Sequence, residues 1–310
     1  MSFDVTTVRK DFPILHTLVG KKELVYLDNA ATTQKPQSVI DTIDNYYTSS
    51  NANIHRGVHY LAELATEAYE ESRRVVSRFL NARSENEIIF VKGTTDGINM
   101  IAHSFGERYI NAGDEILIST MEHHANIVPW QLAAKKKGFK IISININQEG
   151  QLDYDDLIKK VSSKTKFISI THMSNVLGTI IDIQIIKDLA KKFNIPFLID
   201  GCQYIAHAPV DIKSLGCDFY VYSGHKLYGP SGVGVLYMKN RWFNQFDPYQ
   251  GGGDMIENVD FKKTTFASGH QKFEAGTPPI AQVIGLGASY DFMSQFNIQE
   301  IFKYEKELYE

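Results

Sequence analysis

Cysteine is scarce: the 310 residues contain two, Cys202 and Cys217. That is too few for a disulfide framework, and without a CxxC pair a structural zinc site has no support; the usage suits a reducing compartment. Positive charge is not in excess either. Lysine plus arginine number 32 against 36 Asp plus Glu, a net charge of -4, so no overall positive field exists to hold a nucleic acid backbone. No stretch approaches the roughly 20 apolar residues of a membrane span, and the opening Met1 to Phe12 lacks a basic region followed by an apolar one. The chain is therefore read as cytoplasmic, with neither membrane nor nucleic acid as partner. Repeats, low-complexity tracts and Gly/Ser linkers are missing. So are GxxxxGK[ST], a GxGxxG after the first strand and HExxH, which argues against nucleotide cofactors and leaves no metal to assign.

What remains is a globular composition, 43% hydrophobic and 22% charged, at a length that fits two domains or one large α/β unit. Short apolar runs alternate with segments of helical period. The runs are Glu87 to Val91, Glu115 to Ile118, Lys166 to Ile170, Pro196 to Ile199 and Phe219 to Tyr222. Continuous rather than alternating apolarity suits strands covered on both faces. Amphipathic stretches from Gly97 to Ile110, Ile127 to Lys137 and Ile183 to Phe193 are long enough to return the chain parallel. The expected fold is α/β, a mostly parallel, doubly wound sheet with flanking helices. Gly232 to Tyr237 reads as one more strand, antiparallel because its connection from Tyr222 is too short for a helical crossover. Gln299 onward reads as a helix that reaches Glu310 without a Gly or Asn cap.

Ligands of open α/β sheets gather at the carboxyl ends of the strands, and those ends are polar here. They read Lys92-Gly-Thr-Thr-Asp-Gly97, Thr120-Met-Glu-His-His-Ala-Asn126, Thr171-His-Met-Ser-Asn175, Asp200-Gly-Cys-Gln203 and Ser223-Gly-His-Lys226. Each has an ordinary structural explanation: a Thr cap, a turn Asp, a lysine reaching solvent. Together they suit one ligand. Pyridoxal phosphate has an aldehyde that takes a lysine, a pyridine nitrogen kept protonated by a carboxylate, a phosphate suited to a helix N-terminus and a ring face for an aromatic partner. Lys226, Asp200, Thr94 with Thr95, and His123 fill those places in turn.

With these residues in place the chain resembles the class V, fold-type I pyridoxal-phosphate enzymes, and among them the group II (SUF-type) cysteine desulfurases. The motifs are Tyr26-Leu-Asp-Asn-Ala-Ala31, Asn53-Ile-His-Arg-Gly57, Phe90-Val-Lys-Gly-Thr-Thr95, Met121-Glu-His-His-Ala-Asn-Ile-Val-Pro-Trp130, His172-Met-Ser-Asn-Val-Leu-Gly178, Asp200-Gly-Cys-Gln203, Ser223-Gly-His-Lys-Leu-Tyr-Gly-Pro230 and Phe273-Glu-Ala-Gly-Thr-Pro278. The resemblance implies that Lys226 carries the cofactor, Asp200 pairs with its ring nitrogen, His123 stacks on the ring and exchanges a proton, and Gln203 binds the phenolic oxygen. Thr94, Thr95, Ser223 and His225 are implied around the phosphate. It further implies a homodimer with shared sites, Thr277 reaching the neighbouring subunit's phosphate and Arg56 lying at the same interface on the substrate side. Asn175 is implied near the substrate carboxylate. The implied reaction takes L-cysteine, with L-selenocysteine as a second substrate, to alanine, passing sulfur as an enzyme persulfide to an acceptor protein of the SUF system for iron–sulfur cluster assembly.

Two departures qualify the resemblance. The family's nucleophilic cysteine and its substrate-binding arginine belong to a C-terminal small domain that this sequence does not reach. The division expected is 1–297 for the cofactor-binding large domain and 298–310 for the start of a truncated small domain. Cys202 stands where the family usually has alanine, and Lys272 replaces an arginine. Alternatives are an inactive cofactor-binding or dimerising remnant, or another class V enzyme such as an aminotransferase, epimerase or kynureninase relative.

Overall fold

The computed structural model describes residues 4–310, so the first three residues of the amino-terminal stretch read above lie outside it. Seven strands form the central sheet: β1 (Ile88–Val91), β2 (Glu115–Ser119), β3 (Lys140–Ile144), β4 (Thr165–Thr171), β5 (Phe197–Asp200), β6 (Phe219–Ser223) and β7 (Gly234–Met238). Their order across the sheet is β1-β7-β6-β5-β4-β2-β3. Pairings from β6 through β5, β4 and β2 to β3 are parallel, and β7 runs against both of its neighbours. The antiparallel assignment of the strand after Tyr222 is thus observed.

The apolar runs are explained by what covers them. In β6, Tyr220 and Tyr222 join one buried cluster while Phe219 and Val221 join the other; in β1, Ile88 and Phe90 part from Ile89 and Val91 in the same way. Alternate side chains leave a strand on opposite faces, so a strand needs apolar residues at every position only when both faces are covered. One face is covered by α2 (Tyr60–Phe79) packed on α6 (Ile280–Met293), with α1 (Gln37–Asn45) against α6. On the other, α3 (Thr94–Tyr109) lies on β6 and β7 and against α4 (Val128–Lys137). α5 (Ile183–Phe193) crosses from β4 to β5 and ends at Asn194 in the left-handed conformation, and α7 (Ile298–Tyr309) is capped at its start by Asn297.

Three β elements differ from the sequence reading by omission. Strand β3 is an edge strand, its Lys140 and Ser143 exposed, so it lacks the apolar run that marked the others. Two short hairpins, Leu18–Val19 with Lys22–Glu23 and Ile256–Val259 with Thr264–Phe266, also carry exposed residues and no run.

The Phe273-Glu-Ala-Gly-Thr-Pro278 motif has a structural role at its glutamate. Glu274 accepts hydrogen bonds from Arg73 at 2.8 and 3.0 Å and from the Phe90 backbone N–H at 2.7 Å. Arg73 is fully buried and also bonds Glu70 at 2.8 Å and the Ile88 carbonyl at 2.8 Å. Removing one partner of a buried ion pair strands the other's charge, at a cost of about 3–5 kcal/mol. Arg73→Met is expected to lower unfolding free energy by about that much, measured by urea denaturation. A loss below about 1 kcal/mol, the scale of an exposed pair, would contradict this account.

Candidate cofactor site

The carboxyl ends of β2, β4, β5 and β6 open on a cavity of about 480 Å³, a size that suits a small cofactor. Its lining includes Thr94, Thr95, His123, Asn175, Asp200, Gln203, Ser223, His225 and Lys226. Nine residues singled out from sequence therefore meet in one place. Thr277 and Arg56 do not line it. They share a separate recess of about 250 Å³ with Asn53, Asp254 and Gly276, where Arg56 Nε lies 3.6 Å from Asp254.

The geometry follows from the strand ends. Gly93, at φ 152°, opens α3 in a conformation that disfavours a side chain, and a Cβ there would stand 3.1 Å from Ser223 Oγ. Thr94 N–H donates to Ser223 Oγ at 2.8 Å, and the two hydroxyls lie 2.9 Å apart. Positions 94, 95 and 223 thus present hydroxyls at a helix N-terminus, chemistry that suits a phosphate. Gly201 follows Asp200 because the Tyr220 ring occupies the space, 2.1 Å from where a Cβ would be.

Asp200 is buried at the end of β5 and lines the cavity. Its Oδ1 accepts the Cys202 backbone N–H at 2.9 Å. Burial raises its pKa from 3.8 to about 6, against the opposing pull of that N–H and of Lys226. Gln203 Nε2 donates to the Ala30 carbonyl at 2.9 Å, tying the Tyr26 to Ala31 motif to the cavity. The turn carrying His225 and Lys226 is held by its backbone: the His225 carbonyl accepts from Thr33 N–H at 3.0 Å and from Lys35 Nζ at 3.1 Å. Burial, then Lys226, lowers the pKa of His123 and of His225, so both imidazoles are neutral at pH 7. His123 Nδ1 accepts the Ala125 N–H at 3.1 Å.

Several polar residues bonded or adjacent to cavity-lining positions, without lining the cavity themselves, were given no role in the sequence reading. Lys35 is half-buried, its pKa pushed down to about 8 by burial; a lone lysine distant in sequence carries no signal of this. His172 stacks on Tyr204 at 3.6 Å between centroids, and burial lowers it to about 3. Glu122, between Met121 and His123, is buried. Cys202 lines the cavity and Cys217 does not; both thiols are buried. Burial raises the pKa of Cys202, with Asp200 adding to it, and burial raises that of Cys217 far more.

A class-V aminotransferase family model matches residues 25–310. This chain belongs to that family. Relatives that match it are named cysteine desulfurase. One from Yersinia pseudotuberculosis is 46% identical over 309 residues, covering 99% of this chain and 76% of the relative. Another from Synechococcus elongatus is 46% identical over 308 residues, covering 99% of this chain but 49% of the relative. The chain thus spans about half to three quarters of the relatives' length. A solved cysteine desulfurase from Thermococcus onnurineus superposes with a TM-score of 0.93 at 37% identity, over 99% of this chain and 76% of the other.

Pyridoxal phosphate is the cofactor of this family, and the cavity fits it. The deciding observation is Asp200: a carboxyl both buried and cavity-lining stays ionised at neutral pH most readily beside a cation, and a protonated pyridine nitrogen is one. Among the described residues no group of three or more His, Cys, Asp or Glu is arranged to hold a metal ion, and no helix is long and apolar enough to cross a membrane.

Proposed function

We propose that this chain carries the pyridoxal-phosphate site of a SUF-type cysteine desulfurase. The observation that carries the reading is the meeting of Lys226, Asp200, His123 and the Thr94/Ser223 hydroxyls in one cavity, with the named relatives as support. Lys226 would hold the cofactor covalently, Asp200 its ring nitrogen and His123 its ring face. Gln203 would take the phenolic oxygen, and Thr94, Thr95, Ser223 and His225 the phosphate. Bound there, the cofactor supplies an aldehyde that condenses with amines and a ring that withdraws electrons from the amino acid carbon.

The chain's own residues then have separate tasks. Lys226, freed by incoming L-cysteine, takes the proton from Cα. Asp200 stays ionised opposite the ring nitrogen. His123, neutral at pH 7, moves a proton at the substrate sulfur, and Asn175 faces the substrate carboxylate. A thiolate forms a bond to that sulfur as the carbon–sulfur bond breaks; the sulfur leaves as a persulfide, and one proton delivered to Cβ and one returned to Cα by Lys226 complete alanine.

Further elements of the proposal concern assembly. Arg56 and Thr277, outside the cavity of their own chain, would complete the site of a second copy in a homodimer. Residues 1–297 form the cofactor-binding domain and 298–310 begin a second one. The persulfide serves iron–sulfur cluster assembly in the cytoplasm, and selenocysteine is a second substrate.

Both thiols of the 310-residue chain are buried and raised in pKa, which disfavours either of them as the accepting thiolate, although Cys202 lines the cavity. Alanine formation by the cofactor-loaded chain is therefore expected to require added dithiothreitol and to survive Cys202→Ala and Cys217→Ala, as read by amino acid analysis. Alanine formed without added thiol and lost in Cys202→Ala would assign the nucleophile to Cys202 instead. Transamination in place of desulfuration would overturn the reaction.

A further inference from the structure

His123 sits inside a small loop closed by its neighbours' side chains. Asn126 Nδ2 donates to Glu122 Oε2 at 2.7 Å, so residues one before and three after His123 are bonded to each other beneath it. The pair is anchored to β4 at two points. The Thr171 backbone N–H donates to Glu122 Oε1 at 2.8 Å, and Ser169 Oγ donates to Asn126 Oδ1 at 2.5 Å. Ser119, at the end of β2, donates its hydroxyl to Glu122 Oε1 at 2.5 Å. Glu122, Asn126, Ser119, Ser169 and Thr171 are all buried.

The polarity of this chain of bonds is dictated by donors that cannot reverse. Trp130 Nε1 can only donate and gives its proton to Asn126 Oδ1 at 3.2 Å. That fixes the Asn126 amide with its NH2 toward Glu122. A backbone N–H likewise only donates, so Thr171 requires Glu122 Oε1 to accept. Both carboxyl oxygens must be acceptors. An amide at position 122 would set NH2 against the NH2 of Asn126 or against the Thr171 N–H.

The same connection reaches Asp200. Thr171 is the register partner of Asp200, and the next residue's N–H, that of His172, donates to the Asp200 carbonyl at 2.8 Å. We propose that Glu122 is a positioning residue, whose carboxylate fixes both the His123 loop and the strand end beside Asp200 through the Glu122–Asn126 pair. It touches neither ligand nor reacting atoms; it sets where two residues that do so stand. The proposal rests on reading His123 and Asp200 as cofactor-facing groups. Burial and the charge of Asp200 push Glu122 up to about 7, so a carboxylate here is held by its three donors against its surroundings.

The test is a polarity swap. Glu122→Gln alone and Asn126→Asp alone each place like groups face to face, two donors or two acceptors. The double variant Glu122→Gln/Asn126→Asp restores a donor opposite an acceptor, and leaves the acceptor that Trp130 and Ser169 need. Each variant is assayed for pyridoxal phosphate affinity by absorption titration. The His123 imidazole titration of the cofactor-free chain is followed by NMR, with the thermal midpoint alongside. Each single variant is expected to weaken cofactor binding by about tenfold or more, the scale of one mispaired buried donor or acceptor, and to move the His123 titration. The double variant is expected to recover at least most of both. A merely structural role would lower the thermal midpoint without moving the His123 titration. A double variant no better than the singles in affinity, titration or folding overturns the proposal, as does unchanged binding in Glu122→Gln. Wild-type chain that binds no cofactor would sink the reading of the site instead, while the His123 titration and the melting of the three variants still decide the role of the pair.

Discussion

Lys226→Ala is expected to abolish the visible absorption band of the chain loaded with pyridoxal phosphate, and to lower desulfuration by at least about 10⁴-fold. On the proposed reading two functions would end with one amine: covalent retention of the cofactor and removal of the Cα proton. The turn that bears Lys226 is held by its backbone, through the His225 carbonyl, Thr33 and Lys35, and not by the lysine side chain. The variant should therefore fold normally, with a thermal midpoint close to that of the cofactor-free parent. The Thr94, Thr95 and Ser223 hydroxyls proposed for the phosphate are untouched, so the cofactor is expected still to bind, more weakly and without the covalent band. A variant that keeps the band would mean that another lysine holds the aldehyde; Lys35, half-buried and lowered to about 8, is the next amine near this turn.

Asp200→Asn is expected to separate stability from activity. Burial raises the folded carboxyl to about 6, whereas its ordinary value is 3.8. The cofactor-free folded state thus holds a proton that the unfolded chain has already released between those pH values. Stability from this group is complete below about pH 4, falls as pH rises toward 6 and is flat above 7, a total on the order of 3 kcal/mol. An asparagine keeps the oxygen that accepts the Cys202 N–H and cannot ionise. Cofactor-free Asp200→Asn should accordingly be more stable than wild type at pH 7, by up to that amount, and equal to it near pH 4. Urea denaturation across this range gives the comparison. Activity should move the other way, falling at least about 100-fold, the scale of a placed charge opposite a charge that develops in the reaction. Equal pH profiles of stability for the two proteins would contradict the burial argument.

Much of this site was legible because its residues stand at strand ends. A strand covered on both faces advertises itself by continuous apolarity, and the first polar residues after Val91, Ser119, Ile170, Ile199 and Tyr222 then fall along one sheet edge. Asp200 and Lys226 fall together on that ground alone. What stayed hidden was held by contacts that no spacing records. Glu122 and Asn126 flank His123 in the same short segment, yet their importance lies in facing inward, toward Ser169, Thr171 and Trp130. Lys35 reaches the His225 carbonyl from far away in sequence, and Arg73 meets Glu274 across 201 residues. Strand β3 was missed for the opposite reason, since an edge strand half open to water has no apolar run to show. Arg56 and Thr277 mark a different boundary: they were assigned to the site through a partner subunit, and in one chain they line a recess of their own.

The most direct test of the cofactor site is reductive trapping. The chain is incubated with pyridoxal phosphate, reduced with borohydride, digested and analysed by mass spectrometry for the modified lysine. The arrangement of Lys226, Asp200 and the Thr94/Ser223 hydroxyls predicts a single modified peptide, labelled at Lys226, and loss of that label in Lys226→Ala. Labelling spread over surface lysines, or concentrated at Lys35, would contradict it.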